Sequence, residues 1–388
     1  MWNWWRDMEI KQWKDVLHIV SGKNQKAVEN PNGKYPIYGS GGLMGYADDY
    51  LCEAGTTIVG RKGTINRPIF VTEPFWNIDT AFGIAPDKGL VPKYLYYFCV
   101  HFNFMPLDKS TGRPSLAKSD LLKIEMPVPP LPEQERIVAR IEELFSQLDA
   151  GVETLKKTKA QLAVYRQAVL KEAFEGRLTA SGPEKIVRLG DYIETPRYGT
   201  SKKCSYDDGR DRTAVYRIPN IEHKNGRISH DDIKYAQFTE SELDGIRLRQ
   251  GDILIIRSNG SVSLVGRAAM VCDADITGTF AGYLMRLRIS EPETLLPKFL
   301  LLFLQSHQAR IYIENKAKST SGVHNINSTE ISDLQMPLYD PDTQYAIIEA
   351  IESRLSVCDS IEHTVDLALQ QAEAMRQSIL KDAFEGRL

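Results

Sequence analysis

Apolar residues recur at seven-residue intervals over two long stretches of the chain. In the first stretch the a positions are Ile141, Leu148, Leu155, Leu162 and Val169, and the d positions are Ile137, Leu144, Gly151, Thr158 and Tyr165. In the second stretch the a positions are Ile351, Cys358, Val365, Ala372 and Ile379, and the d positions are Ile347, Arg354, Ile361, Ala368 and Met375. Five heptads without proline favour a coiled coil formed by two long helices. The alternative is two independent amphipathic helices, each packed on its own domain.

The sequence in front of each long helix has a different pattern, in which short apolar runs alternate with glycine-rich turns. Residues 56–59, 253–256 and 283–289 are β-rich and predict strands. Residues 94–104 and 299–313 are longer apolar stretches, and each predicts one helix. The pattern therefore predicts an α+β fold with small sheets in the front of each half, which we call a head.

The chain contains an internal repeat. Residues 168–178 read AVLKEAFEGRL and residues 378–388 read SILKDAFEGRL, with eight of eleven positions identical. The same offset of 210 aligns Asp149 with Asp359 and Arg166 with Arg376. This tandem duplication predicts two heads, each followed by a long helix and related by an internal repeat. The predicted domains are a first head at 1–132, a central helix at 133–180, a second head at 181–338 and a C-terminal helix at 339–388.

Proline, acidic residues and glycine mark the ends of the predicted helices. Residues 127–132 read PVPPLP, which predicts a stiff, extended lead-in before a helix that opens at Glu133 and Glu135. Gly176 and Gly386 stand where each helix should stop. In the second half residues 336–341 read MPLYDP, which predicts a less stiff lead-in, and residues 179–183 predict a linker.

Composition and charge limit the classes of function. The 388 residues are 42% hydrophobic and carry a formal net charge of -3, a balance that at first disfavours binding to nucleic acid. However, residues 339–388 hold 4 basic and 10 acidic residues, while residues 1–338 hold 44 basic and 41 acidic residues. The acidic excess therefore lies on one terminal helix, and the rest of the chain is mildly basic.

The remaining composition predicts a cytoplasmic protein without a metal site. Five cysteines stand singly and none forms a C-x-x-C pair, which suits a reducing compartment. The seven histidines form no H-E-x-x-H motif. Charged residues interrupt the apolar start before a signal-peptide core forms, and the densest apolar run, residues 299–304, is too short to span a membrane.

Motifs of catalysis are missing from the sequence, whereas the duplication favours recognition. The chain has no phosphate-binding G-x-x-x-x-G-K-[ST], no G-x-S-x-G elbow and no D/N-P-P-Y/F methyltransferase cluster. Gly39, Gly41, Gly42 and Gly45 offer a candidate phosphate cradle, but the segment precedes no clear helix and favours a plain turn. A duplicated chain without catalytic motifs favours a protein that recognises two targets.

Two pairs of matched turns are the candidate DNA contacts. G-R-K-G-T at 60–64 and R-S-N-G at 257–260 each follow a β run, which predicts two hairpin tips. S-T-G-R-P at 110–114 and T-S-G-V-H at 320–324 form the second pair. Arginine pairs with guanine and asparagine with adenine in the major groove, although the alternative is ordinary solvated turns. The predicted DNA contacts are Arg61, Lys62, Arg67, Arg113, Lys202, Lys203, Arg257, Asn259 and Asn325.

Together these features resemble a known family, the specificity subunits of type I restriction-modification systems, called HsdS. The resemblance rests on MPVPPLPEQERIV at 126–138, on LKEAFEGRL and its second copy, and on STGRP with the following Leu116. It covers nearly the whole chain, and the duplicated layout is itself typical of the family.

The resemblance implies a division of labour between heads and helices. Each head would be a target-recognition domain that reads one half of a split sequence in double-stranded DNA. The helices would pair antiparallel as a ruler, because residues 133–175 would span roughly 64 Å. One DNA turn is about 34 Å, so the half-sites would lie about one to two turns apart.

The resemblance also implies partners and no catalysis in this chain. The helices would dock two HsdM methyltransferase subunits, and restriction would need HsdR translocase-nuclease subunits. S-adenosylmethionine, ATP and magnesium would be held by those partners. The predicted helix seam consists of Ile141, Leu148, Leu155, Leu162, Val169, Ile351, Val365 and Ile379.

Three other functions stay open from the sequence. They are the specificity subunit of a related modification system without the translocase, an enzyme with a cryptic active site in one head, and a structural scaffold without DNA contact. A further hypothesis concerns the tryptophan-rich start, Trp2, Trp4, Trp5 and Trp13, which we expect to pack near the far end of the C-terminal helix.

Overall fold

The computed structural model describes residues 9–178, 182–209, 211–222, 224–317 and 322–388. The chain divides into two compact units, one formed by residues 1–157 with 365–388 and the other by residues 158–364. Each unit contains one head, the first part of the long helix that follows it, and the last part of the other long helix. The predicted linker residues 179–181 and the residues Trp2, Trp4 and Trp5 lie outside the described part of the chain.

The first head is built on a four-stranded and a three-stranded sheet. The strands are Glu9–Gln12 (β1), Leu17–Ser21 (β2), Tyr35–Gly39 (β3), Gly42–Ala47 (β4), Thr56–Gly60 (β5), Ile69–Val71 (β6), Trp76–Asn77 (β7), Ala81–Pro86 (β8) and Glu125–Val128 (β9). The larger sheet has the order β2-β8-β5-β6, and the smaller has the order β4-β3-β7 with β3 and β7 parallel. Strands β1 and β9 form a separate antiparallel pair.

The helices of this half are Pro92–His101 (α1), Lys118–Leu121 (α2) and Leu131–Phe174 (α3), with 3-10 turns at Trp13–Asp15 and Met105–Leu107. Helix α1 starts with proline at its first position, where the missing N–H costs nothing. It ends at residue 101, a little before the predicted end at 104. Helix α3 begins at residue 131, two residues earlier than Glu133, because Pro132 is tolerated in a first turn.

Aromatic side chains join the first head to the end of the C-terminal helix within the first unit. Trp13 is fully buried, with its ring centroid 6.4 Å from that of Phe98, and Phe98 lies 5.4 Å from Phe384. Tyr94 contacts Phe384 as well, at 5.2 Å. Trp13 therefore shares one core with Phe384, as expected for that residue of the tryptophan-rich start.

The second head repeats this plan. Its strands are Lys185–Arg188 (β10), Arg197–Tyr198 (β11), Thr213–Tyr216 (β12), Ile221–Glu222 (β13), Arg227–Ile228 (β14), Lys234–Ala236 (β15), Ile253–Ile256 (β16), Ser258–Asn259 (β17), Ala268–Met270 (β18), Thr279–Phe280 (β19), Leu284–Leu287 (β20), His324–Asn325 (β21) and Gln335–Leu338 (β22). The sheets are β11-β20-β16-β18 and β15-β12-β19, with the pairs β10-β22, β13-β14 and β17-β21. Parallel pairing of β12 with β19 matches that of β3 with β7.

The helices of the second half are Glu240–Asp244 (α4), Pro297–Leu304 (α5), His307–Lys316 (α6), Ser328–Ser332 (α7) and Pro341–Phe384 (α8), with 3-10 turns at Leu189–Asp191, Ile218–Asn220 and Val262–Leu264. The single helix predicted over 299–313 is wrong, since two helices are present. The break occurs because the Ser306 hydroxyl accepts a hydrogen bond from the Ala309 amide and starts a new helix.

The central strand β16 is apolar at every position because both of its faces are covered. Ile253 and Ile255 belong to the core that contains helix α5, whereas Leu254 and Ile256 belong to the core that contains strands β12 and β19. A strand covered on both faces reads as a continuous apolar run. The predicted strand at 253–256 has the bounds of β16, and the one at 56–59 falls within β5.

A buried glutamine fixes the start of each long helix. Gln134 accepts a hydrogen bond from the Val91 amide at 2.7 Å and donates to the Pro129 carbonyl at 2.8 Å. Gln344, its repeat equivalent, accepts from the Leu296 amide at 2.9 Å and donates to the Tyr339 carbonyl at 2.7 Å. The second lead-in thus has the same glutamine anchor as the first, although its sequence contains fewer prolines.

Glycine ends both long helices as predicted. Helices α3 and α8 end at residues 174 and 384, and Gly176 and Gly386 each have φ of 72°. The amide after each glycine donates to a carbonyl five residues earlier, as Arg177 does to Glu172 at 2.9 Å. This left-handed turn favours glycine because a Cβ would strain it.

Burial along the two long helices follows the a positions of the predicted seam more closely than its d positions. Ile141, Leu162, Val169, Ile351, Cys358, Val365 and Ala372 are buried, and Leu148, Leu155 and Ile379 are partly buried. Tyr165, Arg354, Ile361 and Met375 at d are exposed. Some e positions make contacts between the two helices instead. The guanidinium of Arg376 lies 4.5 Å from the centroid of the Phe145 ring. No helix within the described residues is long and apolar enough to span a membrane.

Candidate nucleic-acid interface

In the first head, two of the predicted loops are hydrogen-bonded to each other. The Leu116 amide donates to the Arg61 carbonyl at 2.8 Å, and the Gly63 amide donates to the Pro114 carbonyl at 2.8 Å. Lys62 forms a β-bridge with Ser115. The basic turn that follows β5 is therefore paired with the loop that carries Arg113, rather than being a separate hairpin tip.

The second head contains the same arrangement at repeat-equivalent residues. The Ile326 amide donates to the Arg257 carbonyl at 2.9 Å. Ser258 pairs with Asn325, and Asn259 pairs with His324, as strands β17 and β21. Ile326 and Leu116 are related by the offset of 210, so Arg61 and Arg257 occupy equivalent places in the two heads.

A carboxylate holds the Arg113 loop of the first head. Asp108 accepts hydrogen bonds from the Ser110 amide at 2.9 Å, from the Ser110 hydroxyl at 2.7 Å and from the Ser115 amide at 3.0 Å. These donors lower the pKa of the Asp108 carboxyl. Gly63, at φ of 86°, lies against the Arg113 guanidinium, where a Cβ would come within 2.8 Å of it.

The two equivalent arginines are each held against an aromatic ring. The guanidinium of Arg61 lies 5.8 Å from the Phe82 centroid, and Nη1 donates to the Asp79 carbonyl at 3.4 Å. The guanidinium of Arg257 lies 4.3 Å from the Tyr198 centroid, and Nη1 donates to the Gly282 carbonyl at 3.2 Å. An arginine oriented in this way keeps its remaining N–H donors for an outside acceptor.

The other predicted contacts differ in how free they are. Lys62, Arg67, Arg113, Lys203 and Asn325 are exposed. Lys202 is paired with Glu242 at 2.7 Å, and Asn259 accepts a hydrogen bond from the Ser261 amide at 2.9 Å. The Asn66 side chain donates a hydrogen bond to Asn103 and accepts one from the Phe104 amide. Arg67, the next residue, therefore lies beside the end of helix α1. Thr320 and Ser321 lie outside the described residues.

Two basic residues of the second head lie beside the predicted DNA contacts but were not predicted from the sequence. Arg217 and Lys234 line a groove of about 580 Å³ together with Lys202 and Arg257. Arg217 opens residues 217–233, a segment between β12 and β15 that the first head replaces with the short turn between β3 and β4. Lys234 is the first residue of β15, and the corresponding strand of the first head, β4, carries no basic residue. The repeat therefore gave no signal for either residue.

Exposed apolar residues mark a second kind of surface on the helices. Tyr165 is 47% exposed and its repeat equivalent Met375 is 54% exposed. A single exposed apolar residue is common on protein surfaces, so what distinguishes these two is that they occupy equivalent places in the repeat.

Two further observations concern metal ligands and thiols among the described residues. No group of three or more His, Cys, Asp or Glu side chains among them could hold a metal ion. Burial raises the pKa of the Cys52 thiol to about 12, and a hydrogen bond to Asp275 raises the pKa of the Cys272 thiol. Raised values keep these two thiols protonated and unreactive.

Comparisons with known proteins agree with this arrangement. A family model described as "Type I restriction modification DNA specificity domain" matches residues 6–163. The chain is 30% identical to the type I restriction enzyme EcoKI specificity subunit of Escherichia coli K12 over 281 residues, covering 70% of this chain and 59% of that protein. It is 26% identical to the StySPI specificity subunit of Salmonella potsdam over 346 residues, covering 85% and 73%. The chain thus spans about three fifths of the EcoKI relative.

Solved structures show the same fold. A chain from a study of complex assembly and conformational transition of the type I R-M system matches with a TM-score of 0.76 and 16% identity, over 98% of both chains. The HsdS subunit from Thermoanaerobacter tengcongensis matches with a TM-score of 0.57 and 16% identity, over 98% of this chain and 97% of that one. The α+β heads and paired long helices are therefore a known architecture.

Proposed function

The chain belongs to the type I restriction-modification specificity family, and on that premise we propose that it is the DNA-binding specificity subunit of a type I restriction-modification complex. Each head reads one half of a bipartite sequence in double-stranded DNA. The two long helices set the spacing between the half-sites. The chain itself catalyses no reaction.

The equivalent placement of Arg61 and Arg257 is the observation that carries this proposal. Each arginine lies on a turn that follows the central strand of a head, and each backbone carbonyl accepts from the matching amide of a second loop. Each guanidinium is oriented by an aromatic ring. Two copies of one arginine site suit two half-sites, because arginine reads guanine through paired donors in the major groove.

Partners supply the chemistry in this proposal. The helices dock two HsdM methyltransferase subunits, and the exposed Tyr165 and Met375 give each copy the same apolar contact. S-adenosylmethionine is held by those subunits, while ATP and magnesium are used with HsdR translocase-nuclease subunits. The chain then works as an adaptor that brings catalytic subunits, which are separate chains, to a specific DNA sequence.

Genome-wide sequencing of methylated adenines in cells that express this chain with its methyltransferase partner tests the proposal. We expect one bipartite motif, and exchange of the first head for that of another family member should change only its first half. Unchanged DNA binding by the complex after replacing Arg61, Lys62 and Arg257 with alanine would support a scaffold instead. Methylation by the isolated chain would support an enzyme with its own active site.

A further inference from the structure

The groove of the second head brings together four cationic side chains from four segments of the chain. Lys202, Arg217, Lys234 and Arg257 line it, along with the exposed Tyr283. Arg257 is the equivalent of Arg61, whereas Arg217 lies in residues 217–233, which the first head replaces with a short turn. Lys234 lies on β15, and the corresponding strand β4 carries no basic residue. The groove is therefore a feature of one head beyond the shared arginine site.

Carboxylates balance only part of this positive charge. Lys202 is paired with Glu242 at 2.7 Å, and Arg217 Nη2 donates to Asp232 at 2.9 Å. Lys234 and Arg257 lie over aromatic rings instead, at 4.7 Å from the Tyr206 centroid and 4.3 Å from the Tyr198 centroid. Four cations and two carboxylates leave an excess of two positive charges in a space of about 580 Å³.

Asp232 interacts with two of the groove's cations, Arg217 and Lys234. It has φ of 53°, which places it in the left-handed region that non-glycine residues rarely adopt. Hydrogen bonds from Tyr206 and Arg217 lower the pKa of its carboxyl, and Lys234 adds to this effect. The cations are therefore held in place before a ligand arrives, which limits the entropy lost on binding.

We propose that this groove binds a backbone phosphate of the DNA through Arg217 and Lys234, beside the base-reading Arg257. The inference rests on the proposed function and adds a phosphate-binding site to the second head alone. Phosphate oxygens are the acceptors that a guanidinium and an ammonium prefer, and such contacts fix the register of a protein on the duplex without reading its sequence. Arg217 and Lys234 are thus positioning residues for the base contact made by Arg257.

Salt dependence of binding tests the proposal. The chain assembled with its methyltransferase partner is titrated with duplexes that contain or lack the motif found by methylation sequencing, at several salt concentrations. Lys234→Gln and Arg217→Gln should each reduce the slope of log Kd against log salt by about 1, with affinity about fivefold to tenfold weaker near 0.1 M salt. Both duplexes should weaken equally, so the ratio of their affinities stays unchanged.

Two control variants separate a phosphate contact from a general loss of charge. Lys185→Gln removes an ammonium that lies 5.9 Å from the centroid of the Tyr192 ring, outside the groove, and should leave the slope unchanged. Lys234→Arg should keep the wild-type slope. Thermal melting of each variant establishes that the second unit is folded.

Two results would overturn the phosphate site while leaving the proposed function intact. One is an unchanged salt slope in both groove variants with selective binding preserved. The other is a changed ratio of affinities, which would mean that Lys234 or Arg217 reads a base. In contrast, failure of the wild-type complex to prefer its motif would refute the proposed function itself.

Discussion

Arg166 Nη2 donates a hydrogen bond to Asp359 Oδ1 at 2.6 Å, which joins the two long helices within the second unit. Arg376 makes the same contact with Asp149 in the first unit. Arg166 and Arg376 are equivalent in the repeat, and so are Asp149 and Asp359. Each copy of the repeat thus supplies an arginine to the other copy's aspartate, so both long helices contribute one side chain to each contact.

A double-mutant cycle should detect this pair. Arg166→Ala and Asp359→Ala should couple by about 0.5 to 1 kcal/mol in the free energy of unfolding, a modest value because the Asp359 side chain is 56% exposed. Urea denaturation of the four proteins measures the coupling. The Arg376 and Asp149 cycle should give a value of the same size, and coupling near zero in both cycles would show that the pairs contribute no stability.

Replacing Gln134 by alanine should destabilise the first unit strongly. The side chain is fully buried, and its loss would leave the Val91 amide and the Pro129 carbonyl without partners inside the protein. Unpaired buried groups of this kind cost about 1 to 3 kcal/mol each, so the expected loss is about 2 to 4 kcal/mol. Gln344→Ala should have the same effect on the second unit.

Gln167→Ala is the matched control, because Gln167 is exposed on the same helix. Its cost should stay below about 0.5 kcal/mol. Differential scanning calorimetry of the three variants makes the comparison, and a similar cost for Gln134→Ala and Gln167→Ala would rule out a role of the buried hydrogen bonds.

The contact between Lys224 and Glu362 should make the stability of the second unit depend on pH. A hydrogen bond from Lys224 at 2.9 Å, helped by Arg166, lowers the pKa of Glu362 below its ordinary 4.5. A lowered carboxyl pKa adds stability that is fully present above 4.5 and is lost as the pH falls through the folded value. Lys224→Ala should therefore lower the Tm at pH 7, with a difference from wild type that shrinks as the pH falls below 4.5.

Glu362→Gln provides the control for this titration. Because the amide carries no charge, adding Lys224→Ala to Glu362→Gln should lower the Tm by a smaller amount that changes less with pH. The remaining dependence on pH comes from Asp359, which lies 3.8 Å from Lys224 Nζ. Melting curves between pH 7 and pH 3 report both effects. If the difference in Tm between the wild type and Lys224→Ala were constant over this range, the contact between Lys224 and Glu362 would not be the cause of the pH dependence.

The long helices were largely predictable from the sequence because their signals are local. Heptad spacing located them, and Gly176 and Gly386 marked their ends through a backbone conformation that favours glycine. The d positions were predicted less well, since which face packs depends on the partner helix. Tyr165 and Met375 fit a heptad and yet are exposed, while Arg166 and Arg376 at e make the contacts.

The candidate site was predictable in its parts but not in its assembly. Arg61 and Arg113 stood out as basic turns with glycine, yet their loops are brought together by backbone hydrogen bonds such as that from Leu116 to Arg61, and a contact between distant segments leaves no periodic signal. Arg217 had no signal in the repeat, because it lies in a segment without a counterpart, and Lys234 had none because the corresponding strand β4 carries no basic residue. The pairing of β12 with β15 places Lys234 opposite Val215, two residues before Arg217, and only the folded head brings both residues to the groove that Arg257 lines.

Each equivalent arginine should control one half of the recognised sequence. Arg257→Ala should cost about 1 to 3 kcal/mol in binding to the full motif and relax the base preference at one position of one half-site only. Arg61→Ala should do the same in the other half-site. Binding to a library of duplexes with every single-base change measures both profiles. If either variant changed preference in both halves, the heads would not read independently.

Lengthening both long helices by one heptad should widen the recognised gap without changing either half-site. Seven residues add about 10.5 Å of helix, which corresponds to about three base pairs at 3.4 Å each. A whole heptad keeps buried positions such as Leu162 and Val365 in register, because the seam repeats every seven residues. Methylation sequencing reads the new gap directly. An insertion of three residues in both helices is the control, since it rotates the seam out of register and should abolish methylation; an unchanged gap after the heptad insertion would mean that the helices do not set the spacing.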